Sequence, residues 1–191
     1  MDYRPEDIFT PQGLLADVEH DPKLDFLMNI FSIPRAFGVS GFGNPWNVGQ
    51  HSFATALIAL FWAKFINLPA LKRDQLVVMA LTHDLHEAVT GDILPMFKAD
   101  AVRPVLDRIQ GNIQRALGVT VKADLQTHLK IADLIAFLYE IKQVSPNILH
   151  TKKLALAHKI ADKQLALLMH YCDEHGVPQT QVQQFLTELE I

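Results

Sequence analysis

The sequence predicts an all-α protein, and three observations support that prediction. Apolar residues recur at spacings of three and four through most of the 191-residue chain, which is the helical period. Alternation with a period of two, typical of a half-buried strand, is hard to find. Helix start and stop signals separate the apolar runs, and no repeat, linker or charge block marks a domain boundary. We therefore expect a single-domain helical bundle over residues 1–191.

The first half of the chain is expected to form three helices, at about residues 21–33, 47–68 and 70–91. Asp21 followed by Pro22 is an acidic cap with proline at the first helical position. Asn47 and Gln50 have the spacing of a capping box at the start of the second helix. Gly91 is the expected stop of the third helix.

The second half is expected to form helices at about residues 102–117, 123–144 and 148–175, followed by a short closing helix. Thr180 and Gln183 have the spacing expected to cap that last helix. The apolar segments 165–168 and 185–189 are a candidate surface for a homodimer, and ordinary core packing is the alternative explanation. The sequence leaves these two explanations open.

Composition excludes several classes of protein. The 17 Lys and Arg against 21 Asp and Glu give a net charge of −4, which disfavours a nucleic-acid polymer as partner. Cys172 is the only cysteine, so an intramolecular disulfide is impossible and a reducing, cytoplasmic location is expected. The N-terminus is acidic and broken by Pro5, unlike a signal peptide. The apolar run 53–66 is shorter than the ~20 residues that cross a bilayer, so no membrane partner is expected.

The segment 81–92 (LTHDLHEAVTGD) places histidines and carboxylates at the end of an otherwise apolar helix. His83 and Glu87 are four residues apart and share a helix face, and Asp84 can point toward the same centre. A solvated helix end is the simpler explanation, but the helix dipole disfavours carboxylates at a C-terminus. The pattern therefore favours a functional site.

Asp133 lies on a predicted buried stripe with seven other residues: Leu125, His128, Leu129, Ala132, Ala136, Phe137 and Glu140. A buried carboxylate costs several kcal/mol unless it is paired, so a cation is expected beside it. A metal ion and a Lys or Arg side chain both satisfy this requirement. His128, on the same stripe, is expected to be a histidine of the core or its rim.

His51 follows the Asn47 cap and precedes a strongly apolar run. A lone histidine in such a place is more often a packed core residue than a metal ligand. Here it accompanies the His83-Asp84 doublet and Asp133 on two other inward-facing helices. Their joint occurrence favours a shared site.

This pattern of a His, a His-Asp doublet and a distant Asp, all on helices, resembles the HD-domain metal-dependent phosphohydrolases. The segments 47–52 (NVGQHS) and 83–95 (HDLHEAVTGDILP) are similar to the branch that includes bacterial 5′-deoxynucleotidases and related phage-borne HD proteins. The resemblance covers about residues 25–145 and implies an HD-type helical bundle.

The resemblance implies one divalent ion bound by four residues: His51, His83, Asp84 and Asp133. Two imidazoles with two carboxylates suit Mn, Co, Fe or Zn better than Ca or Mg. The family pattern also implies that Glu87 and Asp92 assist proton transfer and position the attacking water. Arg35 matches the arginine that binds the substrate phosphate, and Lys98 is a candidate second cation.

The function implied is hydrolysis of a small phosphorylated substrate, a (deoxy)nucleoside 5′-monophosphate, by a metal-activated water. Ala36 follows Arg35 where the deoxynucleotidase branch has Trp, which leaves the substrate open. Nucleoside triphosphates, cyclic nucleotides and alarmones are the alternative substrates. A non-catalytic metal- or nucleotide-binding module and a helical interaction protein are the alternatives from other classes.

Overall fold

The computed structural model describes residues 22–35, 46–93, 102–145, 148 and 150–191, and the regular elements in these ranges are helical. The all-α prediction is therefore confirmed. The α-helices are α1 (Leu24–Leu27), α2 (Val48–Phe65), α3 (Ala70–Thr82), α4 (Glu87–Thr90), α5 (Arg103–Ala116), α6 (Gln126–Val144), α7 (Thr151–Glu174) and α8 (Gln179–Glu188). Short 3-10 turns follow α1 at Met28–Phe31 and precede α6 at Ala123–Leu125. In these described ranges, no helix has the length and apolar character needed to cross a membrane.

Helix α2 is the centre of the bundle, because it packs against both α3 and α6. Helix α7 packs on α6, and α8 packs on α7. The main core lies where these helices meet, around the buried side chains of Trp62, Leu76, Ile135, Leu168 and Phe185. Burying large apolar side chains is the main source of stability, at about 25 cal/mol per Å².

The segment before α2 is attached to the first turn of that helix. Pro34 and Asn47 form an isolated antiparallel bridge, and the Arg35 backbone N–H donates to the Trp46 carbonyl at 2.7 Å. A Cβ at Gly49 would lie 2.6 Å from the Phe31 ring, so glycine permits the close approach of this segment to α2. These contacts place Arg35 beside the start of α2.

The capping box predicted for α2 is confirmed. The Gln50 backbone N–H donates to the Asn47 side chain at 2.8 Å, and the Asn47 N–H donates to the Gln50 side chain at 3.0 Å. The α1 helix, in contrast, begins at Leu24 behind Lys23, which makes no side-chain cap. The expected cap at Asp21 lies outside the described residues.

The prediction of a continuous third helix to Gly91 is wrong, because α3 ends at Thr82 and a turn separates it from α4. Gln110 of α5 explains the break. Its side-chain Nε2 donates to the Thr82 carbonyl at 2.5 Å, and its Oε1 accepts from the His86 N–H at 3.0 Å. These two backbone groups would bond each other in an uninterrupted helix. Gly91 ends α4 with a φ of 72°, a conformation that favours glycine.

The cap predicted for the last helix is also wrong. Helix α8 begins at Gln179 behind Pro178, and Thr180 and Gln183 form no cap there. Leu168 and Phe185 are buried in the core of this chain, whereas Leu165 and Leu167 are exposed. Core packing therefore accounts for part of these apolar segments, and the homodimer stays a prediction. The predicted loop residues 36–45 and 94–98, including Lys98, lie outside the described residues.

Candidate metal centre

Three helices bring the four predicted ligands together. His51 lies in the first turns of α2, His83 and Asp84 follow the end of α3, and Asp133 lies in α6. One donor atom each from His51, His83 and Asp133 lie within 4.8 Å of one another. Asp84 Oδ2 lies 3.0 Å from His83 Nε2 and 3.8 Å from His51 Nε2. His51, His83 and Asp133 therefore form a compact donor set, and Asp84 lies beside its two histidines.

Both histidines turn Nε2 toward this donor set, because Nδ1 of each is engaged elsewhere. The Nδ1 atom of His83 donates to the Ala80 carbonyl at 2.7 Å. The Nδ1 atom of His51 hydrogen-bonds to Glu140 Oε1. A carbonyl or carboxylate partner at Nδ1 leaves the lone pair of neutral imidazole on Nε2, which is the arrangement found in metal-ligating histidines.

The donor set fits a divalent transition metal. Among the described residues, His83 Nε2 is buried and makes no hydrogen bond, although two carboxylates and the His51 imidazole surround it. Two imidazole nitrogens and two carboxylates suit Mn, Co, Fe or Zn and do not single out one of them. Asp84, Asp92, Asp133 and Glu140 outnumber the neighbouring cations Arg35 and Lys130, so a dication also improves the charge balance.

Neighbouring charges dominate the ionisation of these side chains. Burial lowers the pKa of His83, but Asp84 and Asp133 outweigh it and raise that pKa to about 10. Burial likewise raises the pKa of Asp84, yet His83 holds it well below its usual range. Asp133 is also ionised, since Lys130 and the two histidines lower its pKa against the effect of burial. Because a metal ion binds neutral imidazole, protons and a metal ion would compete for His83.

Arg35 reaches the same centre from the segment before α2. Its Nη1 atom lies 3.9 Å from Asp84 Oδ2 and 3.7 Å from Asp92 Oδ2, and its Nε lies 3.5 Å from Glu140 Oε2. Burial alone would lower the pKa of Arg35. The carboxylates of Glu140, Asp84 and Asp92 outweigh that effect and raise the pKa above its usual value, so the guanidinium stays charged. The structure thus brings two of the other predicted site residues, Arg35 and Asp92, beside the candidate ligands.

Sequence reasoning assigned no role to two residues that contact the candidate ligands. Lys130 Nζ donates to Asp133 Oδ2 at 2.6 Å, and Glu140 bonds His51. Both lie on α6 with Asp133, and Glu140 was on its predicted buried stripe. That stripe was the available signal, because a second carboxylate two turns after Asp133 also needs a partner when buried.

Glu87, at the start of α4, is buried immediately after the turn that carries the His83-Asp84 doublet. Its position differs from the sequence expectation, since the helix break means that it no longer shares one continuous helix with His83.

Two neighbouring side chains, His86 and Trp46, have partners outside the candidate ligands. His86 Nδ1 lies 3.1 Å from the side-chain oxygen of Gln110. Trp46 packs edge-to-face on Tyr139, with the ring centroids 5.8 Å apart.

His128 behaves as predicted for a histidine at the rim of the core. Its Nδ1 accepts from the Trp62 indole N–H at 3.1 Å, and burial lowers its pKa.

A cavity of about 250 Å³ reaches His83 between α3, α5 and α6, and the side chains of Gln110, Gln114 and Gln126 line it. The amide groups give this space hydrogen-bond donors and acceptors next to a ligand of the centre.

The comparisons with known proteins establish the family. The HD domain model matches residues 33–185, so the chain belongs to the HD domain family, as its motifs suggested. No curated protein matches the chain. Among solved structures, the chain resembles the HD phosphohydrolase DatZ of cyanophage S-2L, bound to dA and one catalytic Zn²⁺ ion. The TM-score is 0.71 and the identity 18%, over 90% of this chain and 96% of that one. Family and donor set together support a metal-binding hydrolase.

Proposed function

We propose that the protein is a metal-dependent phosphomonoesterase that acts on (deoxy)nucleoside 5′-monophosphates. The observation that carries the proposal is the position of Arg35. Its guanidinium lies within 4 Å of Asp84, one of the four candidate ligands. A buried arginine beside a metal centre provides a fixed, charged donor for phosphoryl oxygens, for which its planar geometry is well suited.

Arg35 holds the phosphoryl group while the ligand set His51, His83, Asp84 and Asp133 holds the ion. When bound, the ion supplies Lewis-acid chemistry, which makes water a nucleophile near neutral pH and polarises a phosphoryl oxygen. The water oxygen bonds to phosphorus as the ester P–O bond breaks, and the leaving 5′-oxygen takes up a proton. Glu87 and Asp92 orient the water and move these protons.

A nucleotide is the substrate class that the comparisons favour. The HD phosphohydrolase DatZ was solved with dA and Zn²⁺, and its fold is similar to that of this chain. The amide-lined cavity beside His83 offers polar groups to the organic part of such a substrate. Lys98 as a second phosphate-binding cation, the cytoplasmic location and the homodimer stay predictions. Light scattering of the purified protein measures the oligomeric state directly.

The decisive experiment is a panel of nucleoside monophosphates assayed with Mn, Co, Mg and Zn. We expect release of orthophosphate from one or more deoxynucleoside 5′-monophosphates, and no release with a chelator present. Release of pyrophosphate or triphosphate from a nucleoside triphosphate, without monophosphate hydrolysis, contradicts the proposal. Metal and nucleotide binding without any product contradicts it in favour of a sensing module.

A further inference from the structure

Glu140 is a buried charged residue that the proposed reaction does not use. It lies in α6 two turns after Asp133 and is 1% exposed. Its two carboxylate oxygens face two different side chains of the site. Oε1 hydrogen-bonds to His51 Nδ1, and Oε2 lies 3.5 Å from Arg35 Nε. One carboxylate therefore connects a candidate metal ligand with the candidate phosphate-binding cation.

The contact with His51 sets how that imidazole is presented. A carboxylate can only accept a hydrogen bond, so it keeps the proton on Nδ1 and the lone pair of neutral imidazole on Nε2. That atom faces Asp133 Oδ1 at 3.0 Å and Asp84 Oδ2 at 3.8 Å. His83 obtains the same orientation from a backbone carbonyl, that of Ala80. For His51, a charged side chain replaces the carbonyl.

The contact with Arg35 sets how the guanidinium is presented. Glu140 lies at its Nε, whereas Nη1 points to Asp84 and Asp92 at 3.9 and 3.7 Å. The Glu140–Arg35 contact is an ion pair at 3.5 Å without hydrogen-bond geometry in the described residues, and it lies on the Nε side while Nη1 lies on the side of the candidate metal centre. Burying a carboxylate costs free energy unless it is paired, and for Glu140 the partners are these two side chains of the site.

We propose that Glu140 is a positioning residue that couples metal binding to phosphate binding by holding His51 with one oxygen and Arg35 with the other. The phosphate half rests on the proposed function, whereas the metal half requires only the donor set. Glutamine is the informative replacement, because it has nearly the same shape but its side-chain amide accepts hydrogen bonds at only one of its two terminal atoms. Glutamine therefore cannot present an acceptor oxygen to both His51 and Arg35, and it carries no charge to pair with Arg35.

The test measures Co²⁺ affinity by visible absorption, and then the affinity of the Co²⁺-loaded protein for inorganic phosphate. We expect Glu140→Gln to weaken Co²⁺ binding by about 10- to 100-fold, the effect typical of losing the hydrogen-bond partner of a ligating histidine. Phosphate binding is expected to weaken as well. Asp124→Asn is the matched control, because Asp124 pairs with Lys72 at the surface and both affinities should stay unchanged.

A purely structural role would lower the melting temperature and leave the Co²⁺ affinity of the folded protein as in wild type, which overturns the proposal. Weakened Co²⁺ binding with unchanged phosphate binding overturns the coupling. Should Glu140→Gln fail to fold, Glu140→Asp provides the second test. It keeps the charge but is one methylene too short to reach both partners, so wild-type affinities there also contradict the proposal. If wild-type protein binds Co²⁺ but hydrolyses no phosphoester, the proposed function fails while the Co²⁺ result stands.

Discussion

Helix α2 has one fully buried side chain near each end, and the surroundings of the two are chemically opposite. His51 near its start and Trp62 near its end both have 0% exposure. His51 faces the carboxylates of Asp133 and Glu140. Trp62 packs on Phe65 and Phe185, with ring centroids 5.8 and 5.1 Å apart. The same helix thus contributes to a charged centre at one end and to an apolar core at the other.

The difference separates function from stability along one helix. Burial of an apolar ring is favourable in itself, whereas burial of charged groups is favourable only when their partners and any bound ion compensate for lost hydration. Substitutions at the first end should therefore change metal binding and turnover, and substitutions at the second end should change the free energy of unfolding. Four predictions test this separation, from the largest effect to the smallest.

Replacement of Asp84 should have the largest effect. Asp84→Ala removes one of the four donors, so we expect loss of bound metal and a fall in metal-stimulated hydrolysis of at least about a thousandfold, equivalent to several kcal/mol. Elemental analysis and orthophosphate release measure the two quantities. Asp74→Ala is the control, because Asp74 is exposed on α3 and pairs with the adjacent Arg73. A variant that keeps both metal and activity would remove Asp84 from the ligand set.

Replacement of Glu87 should separate turnover from metal binding. Glu87→Gln keeps the size of the buried side chain but removes the proton acceptor, so we expect full metal occupancy and a kcat reduced by about 10²- to 10⁴-fold. Bound metal and kcat are measured on the same preparation, with the exposed Glu174→Gln as control. If the variant loses metal and its residual turnover follows occupancy, Glu87 is a ligand instead.

Replacement of Trp62 should act on stability alone. Trp62→Ala is expected to cost about 3–5 kcal/mol of unfolding free energy through the cavity it leaves. Metal affinity should be unchanged under conditions where the variant is folded. Phe61→Ala is the matched control on the same helix, since that ring is 52% exposed, and its cost should stay within about 1 kcal/mol. Urea unfolding in the presence of a chelator measures both variants.

Cys172 offers a second readout of the same region. Burial raises the pKa of its thiol to about 11, so at pH 8 the folded protein should react slowly with an alkylating reagent. In Trp62→Ala the reaction should accelerate as the core opens more often. An equal acceleration in Phe61→Ala would argue against the assignment of stability to the buried ring.

Loss of the α2 cap should have the smallest effect. Asn47→Ala removes the side chain that accepts from the Gln50 N–H, which typically costs about 1 kcal/mol. Because His51 lies one residue after Gln50, we also expect a few-fold weaker metal affinity. Thermal unfolding with and without Co²⁺ measures both changes. A stability loss as large as that of Trp62→Ala would contradict the separation between the two ends.

Local signals made much of the architecture predictable. Helical periodicity identified the bundle, and the Asn47–Gln50 spacing identified the start of α2 to the residue. The break at the end of α3 was not predictable in this way. It depends on Gln110, whose amide replaces the hydrogen bond between Thr82 and His86 from 24 residues along the chain. The sequence of residues 82–86 alone does not indicate that the side chain of Gln110 will bond to their backbone.

In the candidate site too, some features were predictable from the sequence and others depended on tertiary packing. Residue type and order in the sequence identified His51, the His83-Asp84 doublet and Asp133 as candidate ligands, because histidines and carboxylates are unusual on otherwise apolar helices. The sequence did not say which groups orient them. Glu140 meets His51 across 89 residues, and that pairing follows only from the packing of α2 against α6.

By itself, the sequence determined the helical class, the cap of α2 and the candidate metal ligands. These properties depend on the period of an α-helix and on side-chain chemistry, which act over a few residues. Only the tertiary structure decided which end of α2 lies among charged side chains and where α3 stops. It also decided that Arg35 and Glu140 meet beside the candidate ligands. Such contacts arise from how helices pack, so their physical cause lies in distant parts of the chain.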